Sequence, residues 1–287
     1  MVYLFRSTTI ASISGYILLA AVFVLGFMDF IPFWLELLLI ILSFVLEIAS
    51  IFLALKKYSD ILDLANTDLD RFLEENAKLS ARAKKQMKMT VDGNEIVILL
   101  QHEKTEEVQK RLTEYAMNVA PQDIISKFQY ISFLMDLDVM RKDYSRMDQY
   151  INEKKMYLRQ IYGMNSPAIT GTMKKHLSIS CDMSVLEAEF YSRTVDLLRG
   201  PDRKIAMDYL SVINLAEASV KEMHVMKKYM ITSLQYKKGV IYAVLGDEKR
   251  AVECMQRVSE TNFTYPKITR AKNYLAEKNA SQLLYRG

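Results

Sequence analysis

Few residues of this 287-residue chain have the types and spacing that chemistry requires. His102, His176 and His224 are its three histidines, and Cys181 and Cys254 its two cysteines. No two of these fall at a zinc-ligand spacing. His176 and Cys181 are the nearest pair, five apart, and nothing beside them completes a site. Two distant cysteines in a chain of this size do not make a disulfide framework, which points to a reducing compartment. Gly171-Thr172-Met173-Lys174 lacks the leading glycine and the strand of a phosphate-binding loop. Asp136 and Asp138 read as a solvated helix face. No catalytic residue, cofactor site or metal site is expected, and the chain reads as a binding protein, not an enzyme.

Two carboxylates stand out for a different reason. Glu36 and Glu47 are the only ionisable side chains between Ile31 and Leu55. They are eleven residues apart, about three helical turns, and so share a face. A carboxyl within an apolar run is costly to leave facing lipid, so it reads either as a contact to a partner or ion path, or as a snorkelling or protonated group. Ala11 and Gly15, four apart, would let a helix backbone approach closely.

These residues sit on the element that organises the chain. Thr8 to Met28 contains no Asp, Glu, Lys, Arg or His, and a second apolar run, Ile31 to Leu55, follows it. Each run is long enough to cross about 30 Å of hydrocarbon as a helix. The expectation is a transmembrane hairpin over residues 1–55, with spans at about 8–28 and 31–55. The first run is too long, and too closely followed, to be a cleaved signal. Bases lie only on the outer flanks, at Arg6 and at Lys56 and Lys57, and none in Asp29-Phe30-Ile31-Pro32. The positive-inside rule then places both termini in the cytoplasm, at a plasma or inner membrane.

The remainder differs in composition. One of the 38 bases and three of the 34 acids lie in residues 1–55, leaving 37 against 31. That mild positive excess suits the underside of an anionic leaflet and is too weak to argue for nucleic acid. Only 9 glycines and 5 prolines occur, against 17 methionines and 17 tyrosines, which favours an all-α protein.

Residues 56–90 read as a long juxtamembrane helix without a breaker. Leu62, Ala65, Leu69, Phe72, Asn76, Leu79 and Ala83 alternate at spacings of three and four, a heptad seam with a lone Asn inside it. The seam implies either a parallel coiled-coil homodimer or a face packed on the chain's own domain. Asp92-Gly93 is a turn signal, so residues 91–287 are expected to form the soluble domain. Helices then alternate with short breaks, with a loop over 163–172 and turns at Lys142-Asp143, Gly200-Pro201 and Gly246-Asp247.

The last full pair of helices resembles a tetratricopeptide repeat. Gly239 and Tyr242 match that family's spacing in a first helix, Gly246-Asp247 the tight turn, and Ala251 and Met255 the small and large positions of a second helix. Gln235 stands where the family often has Trp, and Pro266 comes slightly late for the closing proline. Weaker copies run from Phe190 to Leu210 and from Ile131 to Ile151, at unequal separations. The resemblance implies an α-solenoid of antiparallel helix pairs that binds a peptide or protein on a concave face. The expected function is a membrane-anchored interaction scaffold facing the cytoplasm. The alternatives are a peptide-responsive regulatory sensor and an accessory subunit of a membrane transport or secretion complex.

Overall fold

The computed structural model describes Ile41, Leu42, Val45, Ala49, Leu53 and Lys56. From Tyr58 onward it describes all residues but 83–84, 119–123, 165–170, 195–201, 221–226 and 285–287. Among the described residues the protein is all-α, with no strand. It divides into two compact units, Met1–Val91 and Asp92–Gly287.

In the first unit, the described residues of the second apolar run are helical, and Ile41, Val45 and Leu53 are more than half exposed. Spaced in multiples of four, they form one apolar stripe. Among the described residues no helix is long and apolar enough to cross a membrane. Most of the two expected spans, with Gly15, Glu36 and Glu47, lies outside those residues.

The run that the sequence presents as one juxtamembrane helix is two. Residues 58–64 are helical, 65–67 turn, and α1 spans Leu69–Arg82. The break is local in origin. Asn and Thr favour turns, and the Arg71 backbone N–H donates to Asp68 Oδ1 at 3.1 Å, a cap of about 1 kcal/mol. A heptad seam needs a continuous helix, which this turn interrupts. Leu62, Ala65, Phe72, Asn76 and Leu79 are buried within the single chain, and Leu69 half-buried. Asn76 Nδ2 donates to the Val91 carbonyl at 3.4 Å.

Helix α2, Lys85–Gln101, runs straight through Asp92-Gly93, where the sequence signals a turn. Apolar burial overrides the local signal there: Val91, Ile96, Ile98, Leu99 and Leu100 are all buried. Gly93 faces the rings of Tyr115 and Phe133, which come within 3.9 Å of where a Cβ would stand.

The second unit continues with α3 Thr105–Asn118, α4 Ile124–Arg141, α5 Met147–Gly163 and α6 Gly171–Thr194. After these come α7 Arg203–Val220, α8 Lys227–Val244, α9 Glu248–Ser259 and α10 Pro266–Glu277, with a closing 3-10 turn, Ala280–Leu283. Helix α6 begins at Gly171, inside the expected loop, because Leu177 and Ile179 pack against the core. Helices pack mainly on their chain neighbours, α4 on α5, α6 on α7 and α8 on α9, and α6 also lies against α4 and α5. The stretches proposed as repeat copies fall on these three pairs. One core runs through them, from Phe128 and Ile151 through Phe190 and Tyr209 to Ile241, Met255 and Tyr274.

Three pieces of backbone chemistry set the pairs. Asp202 Oδ1 accepts the N–H groups of Lys204 and Ile205 at the start of α7. Gly246 takes a φ of 78°, the left-handed region that glycine enters freely, and Asp247 caps α9 by accepting the Arg250 N–H. Pro266 occupies the first turn of α10, where a missing N–H costs nothing.

Candidate functional site: a charged cavity between alternate helices

Several charged and polar residues of the second unit line a cavity of about 50 Å³. Its walls come from every second helix: the end of α2 and the turn after it, then α4, α6, α8 and α10. Six charged side chains line it, the acids Glu103, Asp136 and Glu187 and the bases Lys237, Lys267 and Arg270.

Four of the six are paired. The Lys237 ammonium donates to Glu187 Oε2 in a short contact. Arg270 meets Glu103 with both arms of its guanidinium, Nη1 to Oε2 at 2.9 Å and Nη2 to Oε1 closer still. Arg270 Nε also donates to the Tyr236 hydroxyl at 3.0 Å, which donates in turn to the Leu283 carbonyl at 2.5 Å. Burial pushes the Tyr236 phenol up to about 12, outweighing the guanidinium beside it.

Among the described residues the other two have no opposite charge bonded to them. Lys267 donates to Gln101 Oε1 at 2.7 Å, and its ammonium lies 4.8 Å from the ring centres of both Tyr229 and Tyr265. It is only 5% exposed. Burial, helped by the neighbouring Lys237 charge, pushes its pKa down to about 7. Asp136 takes no hydrogen bond or ion pair from the described residues. Burial and then the Glu187 carboxylate push it up to about 6, against the pull of Lys237 and Lys154. Lys154 is itself fully buried, its Nζ without a hydrogen-bond partner among the described residues and 4.9 Å from the centre of the Phe128 ring. Burial holds it at about 8.

The cavity also joins the two ends of the unit. Gln101 and Glu103 close α2, and Lys267 and Arg270 open α10. The His102 ring, between the first two, lies 4.6 Å from that of Tyr265. Glu103 reaches Arg270 from a left-handed backbone, φ 57°, a conformation that costs a non-glycine residue about 1–2 kcal/mol.

The reading of Asp136 and Asp138 as a solvated face is overturned for Asp138, while Asp136 is partly exposed. Asp138 is 2% exposed and accepts from Arg146 Nη2 at 3.0 Å, and Asp136 faces the cavity. The signal lay in the run Leu134-Met135-Asp136-Leu137-Asp138-Val139-Met140, where acids alternate with apolar residues on a helix buried on most sides. Glu103, Lys237, Lys267 and Arg270 carried no sequence signal, because each sits in ordinary amphipathic surroundings and only the tertiary fold gathers them.

The residues singled out by the repeat resemblance lie at the α8–α9 turn, away from the cavity lining. Gly239 and Ala251 are buried and Gly246 makes the turn, while the Arg250 guanidinium carbon stands 5.6 Å from the centre of the Tyr242 ring. Cys181 and Cys254 are buried free thiols, both pushed up by burial. Among the described residues no three His, Cys, Asp or Glu side chains converge as a metal site. Compared with family models, curated proteins and solved structures, the chain matches none.

Proposed function

We propose that the chain is a membrane-anchored interaction module. Its first 55 residues form a two-helix transmembrane hairpin, both termini lie in the cytoplasm, and residues 92–287 form a repeat-like array that holds a protein or peptide partner. The observation that carries this reading is the nearest-neighbour packing of α4 to α10 over one shared core. Stacked pairs of this kind present extended faces, since each pair buries one side and exposes the other. The resemblance of α8 and α9 to a tetratricopeptide repeat supports it. Gly239 stands where a Cβ would fall 3.2 Å from the Cys254 Cβ, so the two helices approach closely at the position that the family keeps small. The exposed stripe of Ile41, Val45 and Leu53 supports the anchor.

A regulatory variant of the same reading has its own support. The cavity is built from both ends of the unit, so an occupant would tighten the contact between α2 and α10 and stiffen what lies between them.

The test is proximity crosslinking of the tagged full chain in its native membrane, repeated with Glu47→Leu. Partners that survive the substitution support capture by the array. Partners lost on it favour the transport or secretion subunit, and the absence of any specific partner under crosslinking would overturn the module.

A further inference from the structure

We infer that the cavity between α2, α4, α6, α8 and α10 is a binding site for a small zwitterion of the free amino-acid class, its amine held at Asp136 and its carboxylate at Lys267. This goes beyond the partner-holding function and does not depend on it.

Two carboxylates and two cations in the cavity wall neutralise one another, as Glu103 with Arg270 and Glu187 with Lys237. The remaining pair, Asp136 and Lys267, face the same space with no ion pair of their own among the described residues. Lys267 is buried and Asp136 partly so; taking a charge out of water without an opposite charge bonded to it is expensive, and a fold retains such groups where something compensates them. A ligand carrying one cationic donor and one anionic acceptor compensates both at once. An isolated anion would answer Lys267 and leave Asp136, and an isolated amine would do the reverse.

Size narrows the class. A buried water needs about 10–15 Å³ of this kind of volume, so the cavity holds about three to five waters or a group of similar extent. An α-amino acid head group, with amine, α-carbon and carboxylate, has that extent, whereas a peptide backbone threading through does not. The rest of the lining suits such a head. Ser233 offers a hydroxyl, and Leu100, Val139 and Met140 pack against the carbon.

The surroundings are consistent. Asp136 is faced by Glu187, Lys237 and Lys154, and Lys267 by Lys237, Arg270, Glu103 and Glu187. Each is pushed toward its neutral form by burial and by the like charge among these. A zwitterion brings an opposite charge within bonding distance of each, so Lys267 takes up a proton as the ligand enters near pH 7.5.

The experiment is isothermal titration calorimetry on the full chain in detergent micelles, with glycine, acetate and methylamine as probes. Glycine is expected to give saturable binding at least tenfold tighter than either single-ended probe. Repeating the titration at pH 7.5 in buffers of different ionisation enthalpy should show net proton uptake. Asp136→Asn and Lys267→Met should each weaken glycine binding at least tenfold while keeping the helical circular dichroism spectrum. The unmodified chain alone decides most of this if a variant fails to fold. Acetate binding as tightly as glycine, no proton uptake, or no saturable heat with glycine would each overturn the assignment, as would undiminished binding in both folded variants.

Discussion

Arg270 and Glu103 lie 167 residues apart in sequence and meet through two parallel hydrogen bonds between guanidinium and carboxylate. The pair fastens the last long helix to the turn that ends α2. It is also well shielded, with the Arg270 side chain 10% exposed and that of Glu103 25%. Removing one partner strands the other in low dielectric, which costs about 3–5 kcal/mol for a fully buried pair and less with this residual access. Arg270→Met should therefore destabilise the chain strongly, because Tyr236 loses a donor as well. Glu103→Gln should cost less, since an amide still accepts one bond. The double variant should be more stable than the sum of the two losses predicts, by about 1–3 kcal/mol. Urea denaturation of the full chain in detergent measures the cycle, and strict additivity would show that the pair does not couple the two ends.

Two helical glycines should respond to alanine in opposite directions. Gly93 sits inside α2, with its nearest neighbours 3.9 Å from an added Cβ, an ordinary contact. Gly93→Ala should raise stability by about 1 kcal/mol through helix propensity alone. At Gly239 the same atom would stand 2.4 Å from Met255 Cε and 3.2 Å from Cys254 Cβ. Gly239→Ala should cost about 1–3 kcal/mol by overpacking. Adding Met255→Val, which removes the sulfur and terminal methyl, should recover part of that loss. Thermal unfolding followed by circular dichroism separates the cases, and equal effects at the two glycines would contradict the packing.

Much of the helical layout is visible in the sequence, because Pro266, Gly246-Asp247 and Lys142-Asp143 punctuate it with residues whose backbone preferences are strong. The break at 65–68 is harder to see, since apolar spacing runs across it unchanged and only the capping Asp68 betrays a new start. Asp92-Gly93 misleads in the other direction: the turn signal is genuine locally and loses to burial on both sides. The cavity is the least legible part. Its six charges come from four helices and the turn after α2, and no spacing rule connects Glu103 to Arg270. Only Asp136, an acid in an otherwise apolar stretch, carries a trace of it.

The topology proposed for residues 1–55 predicts where the far end of the chain lies. A reporter fused after Gly287 should be active only in a form that works in the cytoplasm, because bases flank the hairpin on its outer ends alone. Activity of an extracytoplasmic reporter at the same position would invert the arrangement.

The two buried lysines predict an unusual pH dependence. In the folded protein Lys267 titrates at about 7, against an ordinary value of 10.5 when the chain unfolds. Between those values the unfolded chain binds a proton that the folded chain does not, so stability rises with pH. Lys154, at about 8 when folded, has the same sign and joins from that point upward. Asp136 has the opposite sign, but its window runs from 3.8 to about 6 and closes below this range. The two buried thiols, pushed above their ordinary value of 9.0, oppose the lysines only at more alkaline pH. The clean interval is therefore pH 7 to 8.5, where the urea midpoint of the full chain should climb. Lys267→Met removes the first of the two lysines, and Gln101, being half-buried, can replace the lost donor with water. That variant should show a distinctly shallower climb over the same interval, whatever its absolute stability. A flat profile for the unmodified chain, or an unchanged slope in Lys267→Met, would show that Lys267 does not lose its proton in the folded cavity.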